Sequence, residues 1–374
     1  MNSTNQFKRA VVATFTYQQT HGRPQSWIIR FSKVLRKGFS DAGSVRRPVL
    51  SRQSKTSACK KVSVESFSAL FCRQKEVFRR FFKFQSIHST RSSAEEEKLH
   101  IESTLVLNNG IEIPRFGLGV YKSSPGTETK QAVKWAIERG YPMIDTAARY
   151  ANEHDVGQVL KKVDVSQKSL FIVTKVWDDM HGYENTIQSL KNSLEKLGIA
   201  YVDLFLIHSP VGGKIVDTWK AMIHLMEQGL TRSIGVSNFG VHHLVALGKY
   251  SKIIPSVNQI EVHPFNQERA VMQYCKDNGI HIMAYSPLTR GLKLNHPVVQ
   301  YIAKKHHKTA ANVLIRWSLQ KNLICIPKSV KERHIKENNN VFDFQLDDND
   351  MNFLDLLEEN FRTGRDRLKE IWMA

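Results

Sequence analysis

The sequence predicts a (β/α)8 barrel, an α/β fold of the TIM-barrel type, and three observations predict it. Eight short apolar runs alternate with longer amphipathic stretches between Phe116 and Asn338. Eight such units in about 250 residues is the size of a closed parallel barrel. Runs such as Leu170-Phe171-Ile172-Val173 are apolar without alternation, as strands buried on both faces are. The competing doubly wound fold usually opens on a Gly-rich turn. Here Gly117-Leu118-Gly119 is followed by Lys122 where the third glycine should stand, so that reading fails.

The chain has 374 residues, enough for one large domain with an appendage. Its net charge of +19 is unevenly spread. Residues 1–94 hold 19 Lys/Arg against three Asp/Glu, whereas the other 280 hold 35 against 32. The basic balance therefore belongs to an N-terminal extension, residues 1–98, and not to the barrel, residues 99–374. No nucleic-acid partner is expected for the barrel. An acid-poor segment rich in Arg and Ser has the composition of a mitochondrial or plastid transit peptide. Trp27–Lys37 is spaced as an amphipathic helix, with Trp27, Ile28, Phe31, Val34 and Leu35 on one side and Arg30, Lys33 and Lys37 on another. A second apolar-basic segment runs from Phe67 to Phe84, and the acidic Glu95–Glu97 marks the change of composition. Three readings stay open: a presequence, a largely disordered tail without targeting, and a tether to a membrane or polyanion. A cytoplasmic or mitochondrial location is expected. No run of 18 apolar residues occurs, so no transmembrane helix is expected. Four cysteines, Cys59, Cys72, Cys275 and Cys325, form no metal-ligand spacing, and no metal is expected.

The elements follow in order. Thr104–Leu107, Asn108-Asn109-Gly110 and Ile111–Ile113 read as a hairpin. The strands expected are Phe116–Val120, Met143–Asp145, Leu170–Lys175, Val202–His208, Ser233–Ser237, Val257–Val262, His281–Tyr285 and Ile324–Lys328. The helices between them are Thr127–Arg139, Glu153–Lys162, Glu184–Leu197, Asp217–Glu227, Val241–Lys249, Gln267–Asn278 and Ala310–Gln320, with Glu332–Asn338 after the last strand.

In such a barrel the C-terminal strand ends carry the chemistry. Asp145 and Tyr150 follow the second strand, Lys175 ends the third and His208 the fourth. A lone Asp there is most often a helix N-cap, and a lone Lys or His is most often solvated or packed. Four proton-active groups converging on one mouth are a candidate catalytic set. A cation against the phenol is expected to lower its pKa, with Asp145 holding Lys175 and His208 either bonding a substrate oxygen or relaying a proton. No G-x-S-x-G turn supplies a nucleophile. The set suits protonating an oxygen while a hydride-donor cofactor supplies electrons.

Seven blocks make a resemblance visible. They are Asp-Thr-Ala-x-x-Tyr-x-Asn-Glu (145–153), Ile-Val-Thr-Lys (172–175), Leu-Ile-His-Ser-Pro (206–210), Ile-Gly-Val-Ser-Asn-Phe (234–239), Asn-Gln-Ile-Glu (258–261), Ala-Tyr-Ser-Pro-Leu (284–288) and Ile-Pro-Lys-Ser-Val (326–330). From about Glu102 the chain resembles the aldo-keto reductases. Its short loop after the fourth strand, Pro210–Asp217, is similar to that of small diketogluconate- or methylglyoxal-reductase-like and prostaglandin F synthase-like members. The resemblance implies an NADP-dependent oxidoreductase with an open site for a small-molecule carbonyl such as an aldehyde, α-dicarbonyl or keto sugar. Tyr150 would be the general acid, tuned by Lys175 and Asp145, with His208 orienting the carbonyl. It places Ser237, Asn238 and Gln259 on the nicotinamide carboxamide and Tyr285 on the ring. Ser286 and Leu288 fall on the pyrophosphate, Lys328, Ser329 and Val330 on the 2′-phosphate, and Glu337 and Asn338 on the adenine. The family's 2′-phosphate Arg falls on His334, with Arg333 one residue earlier. NADPH is expected, and the preference over NADH is expected to be weakened. Tyr121 and Trp177 match substrate-pocket aromatics, while Arg365 stands where an aromatic is common. A monomer is expected. The rival reading is a catalytically silent NADP(H)-binding partner protein of the same fold.

Overall fold

The computed structural model describes residues 11–16, 28–33, 98–163 and 170–372. Two compact units divide near residue 67. In the first, β1 (Val11–Thr16) pairs antiparallel with β2 (Ile28–Lys33), Val11 opposite Lys33 and Thr16 opposite Ile28. This corrects the helix expected over Trp27–Lys37. Val11, Val12, Thr14 and Thr16, and Ile28 and Ile29, are β-branched, with Phe15 and Phe31 beside them, and such residues fit a pleated ladder better than a helix. The segment Phe67–Phe84, Cys59, Cys72 and Glu95–Glu97 lie outside the described residues.

The second unit opens with the hairpin. β3 (Thr104–Val106) pairs antiparallel with β4 (Glu112–Pro114), and Gly110 takes the left-handed φ of 83° that the turn requires. Its tip closes one end of the barrel. Asn108 Nδ2 donates to Pro255 O at 3.0 Å, and Asn109 Nδ2 donates to Arg232 O at 2.9 Å.

Among the described residues, eight parallel strands then run in sequence order. They are β5 (Leu118–Gly119), β6 (Met143–Asp145), β7 (Phe171–Val176), β8 (Val202–Ile207), β9 (Thr231–Ser237), β10 (Val257–Glu261), β11 (His281–Tyr285) and β12 (Ile324–Cys325). Phe116 bridges to Cys325 in parallel, and Cys325 N donates to Arg115 O at 2.8 Å, so first and last strands close the ring. Each expected apolar run carries one strand; the first and last are shorter than expected.

The helices are α1 (Thr127–Glu138), α2 (Glu153–Lys162), α3 (Tyr183–Leu197), α4 (Ile215–Glu227) and α5 (Val241–Gly248), then α6 (Arg269–Asp277), α7 (Pro297–Lys305), α8 (Ala310–Gln320), α9 (Glu332–Asn339) and α10 (Asp348–Asp355). Two of these were not expected. In α7, Val299, Ile302 and Ala303 are buried at helical spacing behind Pro297 in the first turn. α10 starts at Asp347, whose side chain accepts from Asp350 N.

Strand residues alternate between two cores. Met143, Val173, Leu204, Leu206, Met283 and Ile324 fill the barrel against Leu107 and Ile113 of the hairpin. Ile144, Ile172, Phe205 and Val236 face the helices. Full burial of each such side chain contributes about 1.5–3 kcal/mol. Gly157 lets α2 approach the end of α3, since a Cβ there would stand 2.5 Å from Lys196 O. Among the described residues no helix is long and apolar enough to cross a membrane.

Candidate functional site

The end of β6 organises the site. Asp145 is its last residue, and the chain turns through Thr146 and Ala147 into a single 3-10 turn, Ala148–Tyr150. The remainder of that motif braces the turn. Thr146 Oγ1 donates to Asn152 Oδ1 at 2.9 Å, and Asn152 Nδ2 donates to Val120 O at 3.1 Å. Glu153 Oε1 accepts from Thr174 Oγ1 at 2.6 Å, tying the turn to β7.

Lys175, on β7, points into the same space and is wholly buried. Its ammonium donates to both Asp145 carboxylate oxygens and to Thr146 O, each at 2.8 Å. Tyr150 Oη lies at 3.3 Å, its longest contact. Gln259 Nε2, from β10, donates to Asp145 Oδ2 at 2.7 Å and fixes the carboxylate from the other side. Burial pulls the Lys175 ammonium below its ordinary value, and Asp145 opposes that pull.

The half-buried Tyr150 departs from its expected direction. Burial pushes its phenol well above the ordinary value, and the Asp145 carboxylate pushes the same way. The expected lowering by Lys175 fails because the paired carboxylate answers the cation. The phenol is therefore a protonated donor, not a phenolate. His208, just after β8, packs edge-on to Tyr150 at 5.6 Å and to Trp177 at 4.8 Å between ring centroids. Burial holds its imidazole well below the ordinary value, and Lys175 adds to this. His208 is thus a neutral hydrogen-bonding group, and its buried Nδ1 has no partner among the described residues.

The strands beyond carry a second network. Ser237 Oγ donates to Gln259 O at 2.8 Å. Asn238, at a left-handed φ of 62°, donates to His208 O at 2.8 Å and accepts from Tyr285 Oη at 2.9 Å. These bonds stitch the ends of β8 to β11 into one rim.

The profile of the Aldo/keto reductase family matches residues 115–359. Glyoxal reductase of Bacillus subtilis is 47% identical over 264 residues, 71% of this chain and 96% of that protein. The 9,11-endoperoxide prostaglandin H2 reductase of Trypanosoma cruzi is 46% identical over 70% of this chain and 94% of its own length. The chain belongs to the aldo/keto reductase family. Among solved structures, the Bombyx mori aldo-keto reductase in complex with NADP is similar at 36% identity and a TM-score of 0.66, covering 70% of this chain and 95% of that one. An aldo-keto reductase from a deep-sea metagenome library reaches a TM-score of 0.69 at 38% identity, over 72% of this chain and 100% of that one. The chain is an oxidoreductase of this family.

Further out on this aldo/keto reductase barrel, three basic side chains flank the start of α9. Burial draws Lys328 below its ordinary value, with Glu128 opposing. Arg333 Nη2 lies 3.3 Å from His334 Nε2, so the two residues at the sequence position of interest stand side by side. Arg333 also pairs with Glu337 at 3.4 Å but remains 79% exposed. Ser329 Oγ accepts from Lys331 N at 3.2 Å. Asn338 is buried and Glu337 half-buried on the same helix; Val330, just before it, and Ser286 and Leu288, just after β11, are half-buried.

Tyr121 is 47% exposed, its ring 5.0 Å from that of Tyr150. Sequence reasoning missed the arginines that meet these aromatics. Arg149 and Arg367 lie 5.2 and 5.4 Å from the Trp177 ring centroid. Arg367 comes from the C-terminal segment, where no periodicity signals a position over the barrel mouth. Arg365, singled out from sequence, pairs instead with Glu370 at 2.6 Å and is 72% exposed. A separate cavity of about 550 Å3, lined by Arg269, Trp317, Lys321 and Asp355, lies outside the barrel and contains none of these groups. Cys275 and Cys325 are buried, their thiols pushed up to about 12 by burial, which leaves them inert.

Proposed function

We propose that the chain reduces aldehydes and ketones to alcohols with NADPH as hydride source and Tyr150 as general acid. The observation that carries this reading is the pairing of a protonated phenol with a buried ammonium 3.3 Å away, itself held by Asp145. Lys175 occupies the acceptor side of Tyr150 Oη, so the phenolic proton points outward toward a carbonyl oxygen. As that proton leaves, Lys175 stabilises the phenolate that forms. His208, neutral and directed at the same space, donates a second hydrogen bond that orients the carbonyl. A nicotinamide cofactor, when bound, supplies the hydride to the carbonyl carbon.

The residues fit such a cofactor. Ser237, Asn238 and Gln259 offer amide and hydroxyl groups at one rim, matched to a carboxamide, and Tyr285 offers a ring face beside them. Ser286 and Leu288 would meet the pyrophosphate. Lys328, Ser329, Val330, Arg333 and His334 would receive a 2′-phosphate, and Glu337 and Asn338 the adenine. The Arg333–His334 pair supports NADPH over NADH, because a guanidinium carries its charge permanently where an imidazole does not. The NADP named for the Bombyx mori structure supports the same choice. Small aldehydes and α-dicarbonyls are the proposed substrates, in line with the name of the glyoxal reductase relative.

The test is cofactor consumption by the full chain, followed by absorbance, with NADPH and a panel of butanal, benzaldehyde and methylglyoxal. Turnover with at least one carbonyl is expected, faster with NADPH than with NADH at equal concentration. NADPH binding without turnover of any carbonyl would instead favour the silent-partner reading.

A further inference from the structure

The mouth of the site carries more positive charge than proton transfer requires. Arg149 sits immediately before Tyr150 in the 3-10 turn and is exposed. Its guanidinium lies over the Trp177 ring at 5.2 Å. Among the described residues, no carboxylate forms an ion pair with it. Arg367, at 5.4 Å from the same ring, differs in this respect. It is bound to Asp178 at 3.0 Å and Ser209 at 2.8 Å, so its charge is answered. Across the opening, Arg290 lies 6.0 Å from the Tyr121 ring, again without a carboxylate partner among the described residues.

An arginine kept for structure is normally tied down, as Arg115 is to Leu319 O and Arg232 to Asp203. Arg149 has the Trp177 ring as its neighbour, 5.2 Å from the guanidinium carbon, and among the described residues none of its N–H groups is engaged in a hydrogen bond. That leaves its N–H fork free, and such a fork takes a carboxylate in two parallel hydrogen bonds. Its place also separates it from the cofactor residues. Arg149 and Trp177 follow β6 and β7, whereas the proposed carboxamide, pyrophosphate and 2′-phosphate groups follow β9 to β12. Trp177 in turn packs edge-on to His208 at 4.8 Å, so the free guanidinium stands one aromatic ring away from the group that orients the carbonyl.

We propose that Arg149 binds the carboxylate of an oxo acid or aldehydo acid, and that such anionic carbonyl compounds are the preferred substrate class of this site. This rests on the reductase reading above. The electrostatics agree in placing Arg149 near the carbonyl-orienting group: after burial, Lys175 and Arg367, it too disfavours a charge on His208.

The experiment uses the full chain with NADPH and two matched pairs: succinic semialdehyde against butanal, and 4-carboxybenzaldehyde against benzaldehyde. The parent, Arg149→Gln and Arg149→Lys are compared. A charge-assisted hydrogen-bonded pair is expected to favour the carboxylate member by about tenfold or more in kcat/KM, mostly through KM. Arg149→Gln should lower that preference about tenfold, and Arg149→Lys should restore part of it. Turnover of both members with no preference overturns the inference alone, as does an Arg149→Gln effect that is equal on both members or falls on the KM for NADPH. Absence of turnover with every aldehyde overturns the reductase reading and this inference with it.

Discussion

Lys175 shows how little freedom the central residues have. It is fully buried, and four oxygens surround its three N–H groups. Its charge persists in the interior only because Asp145 and Thr146 O were brought to it by the end of β6. Lys175→Met would leave the Asp145 carboxylate buried with Gln259 as its remaining partner. Denaturant unfolding of that variant is expected to show a loss of about 3–5 kcal/mol, because a buried charge loses its counter-charge. Lys175→Met combined with Asp145→Asn should regain much of it. A single-variant loss below about 1 kcal/mol would contradict the ion-pair reading. All four groups were legible in the sequence, because each lies at the C-terminal end of an apolar run or just beyond it. The direction of the Tyr150 shift was not. It depends on how deeply the phenol is buried and on a carboxylate that cancels the neighbouring cation, and neither is written in residue spacing.

At the scale of elements, the C-terminal segment completes the mouth and is pinned along its length. Phe361 N donates to Phe265 O, Thr363 N donates to Glu261 Oε1 at 2.7 Å, and Arg362 pairs with Glu268. Its far end is held by α5. His243 Nδ1 accepts from Gly240 N at 2.9 Å, so its proton sits on Nε2 and is donated to Glu370 O at 2.8 Å. Burial lowers His243 from 6.5 to about 4, and the His242 ring at 3.8 Å adds to this against the opposing Glu370. A lowered value means the bond from Gly240 N to Nδ1 is intact above pH 6.5 and is lost as pH falls toward 4, while the Nε2–H donated to Glu370 O is kept in both states. The protection of the Gly240 amide against hydrogen exchange, taken relative to its intrinsic rate at each pH, should therefore fall over that window. His243→Gln should show fast exchange already at pH 7. A Gly240 protection factor in the parent that stays flat from pH 7 to 4 would rule out this titration. The barrel helices were readable from their periodicity, but α7 was not. It shares one β–α unit with α8, and a strict alternation leaves no place for a second helix. The segment's passage over the site was equally hidden, because its anchors are backbone groups and scattered charges.

At the scale of the whole molecule, the basic excess of the sequence lies in its first 94 residues. Its alternation of apolar runs was enough to read the barrel, since eight parallel strands must be buried on both faces and must alternate with covering helices. The hairpin was equally plain from Asn108-Asn109-Gly110. The extension was legible only as composition, and the helix assigned to its best segment is a strand, because a helical spacing of charges does not outweigh β-branched pairing with a distant run. Glyoxal reductase and the prostaglandin H2 reductase are matched over 96% and 94% of their lengths by 71% and 70% of this chain, so the barrel alone accounts for those relatives. On the proposed mechanism the chemistry rests on the barrel mouth and on one proton. The most direct measurement is the turnover of the intact chain beside Tyr150→Phe, with NADPH affinity measured by fluorescence in both. The proposed mechanism predicts a fall in kcat of about a hundredfold or more, the usual scale of a lost general acid, with NADPH affinity within a factor of about three. A Tyr150→Phe variant that keeps the parent's kcat would show that the proton comes from elsewhere.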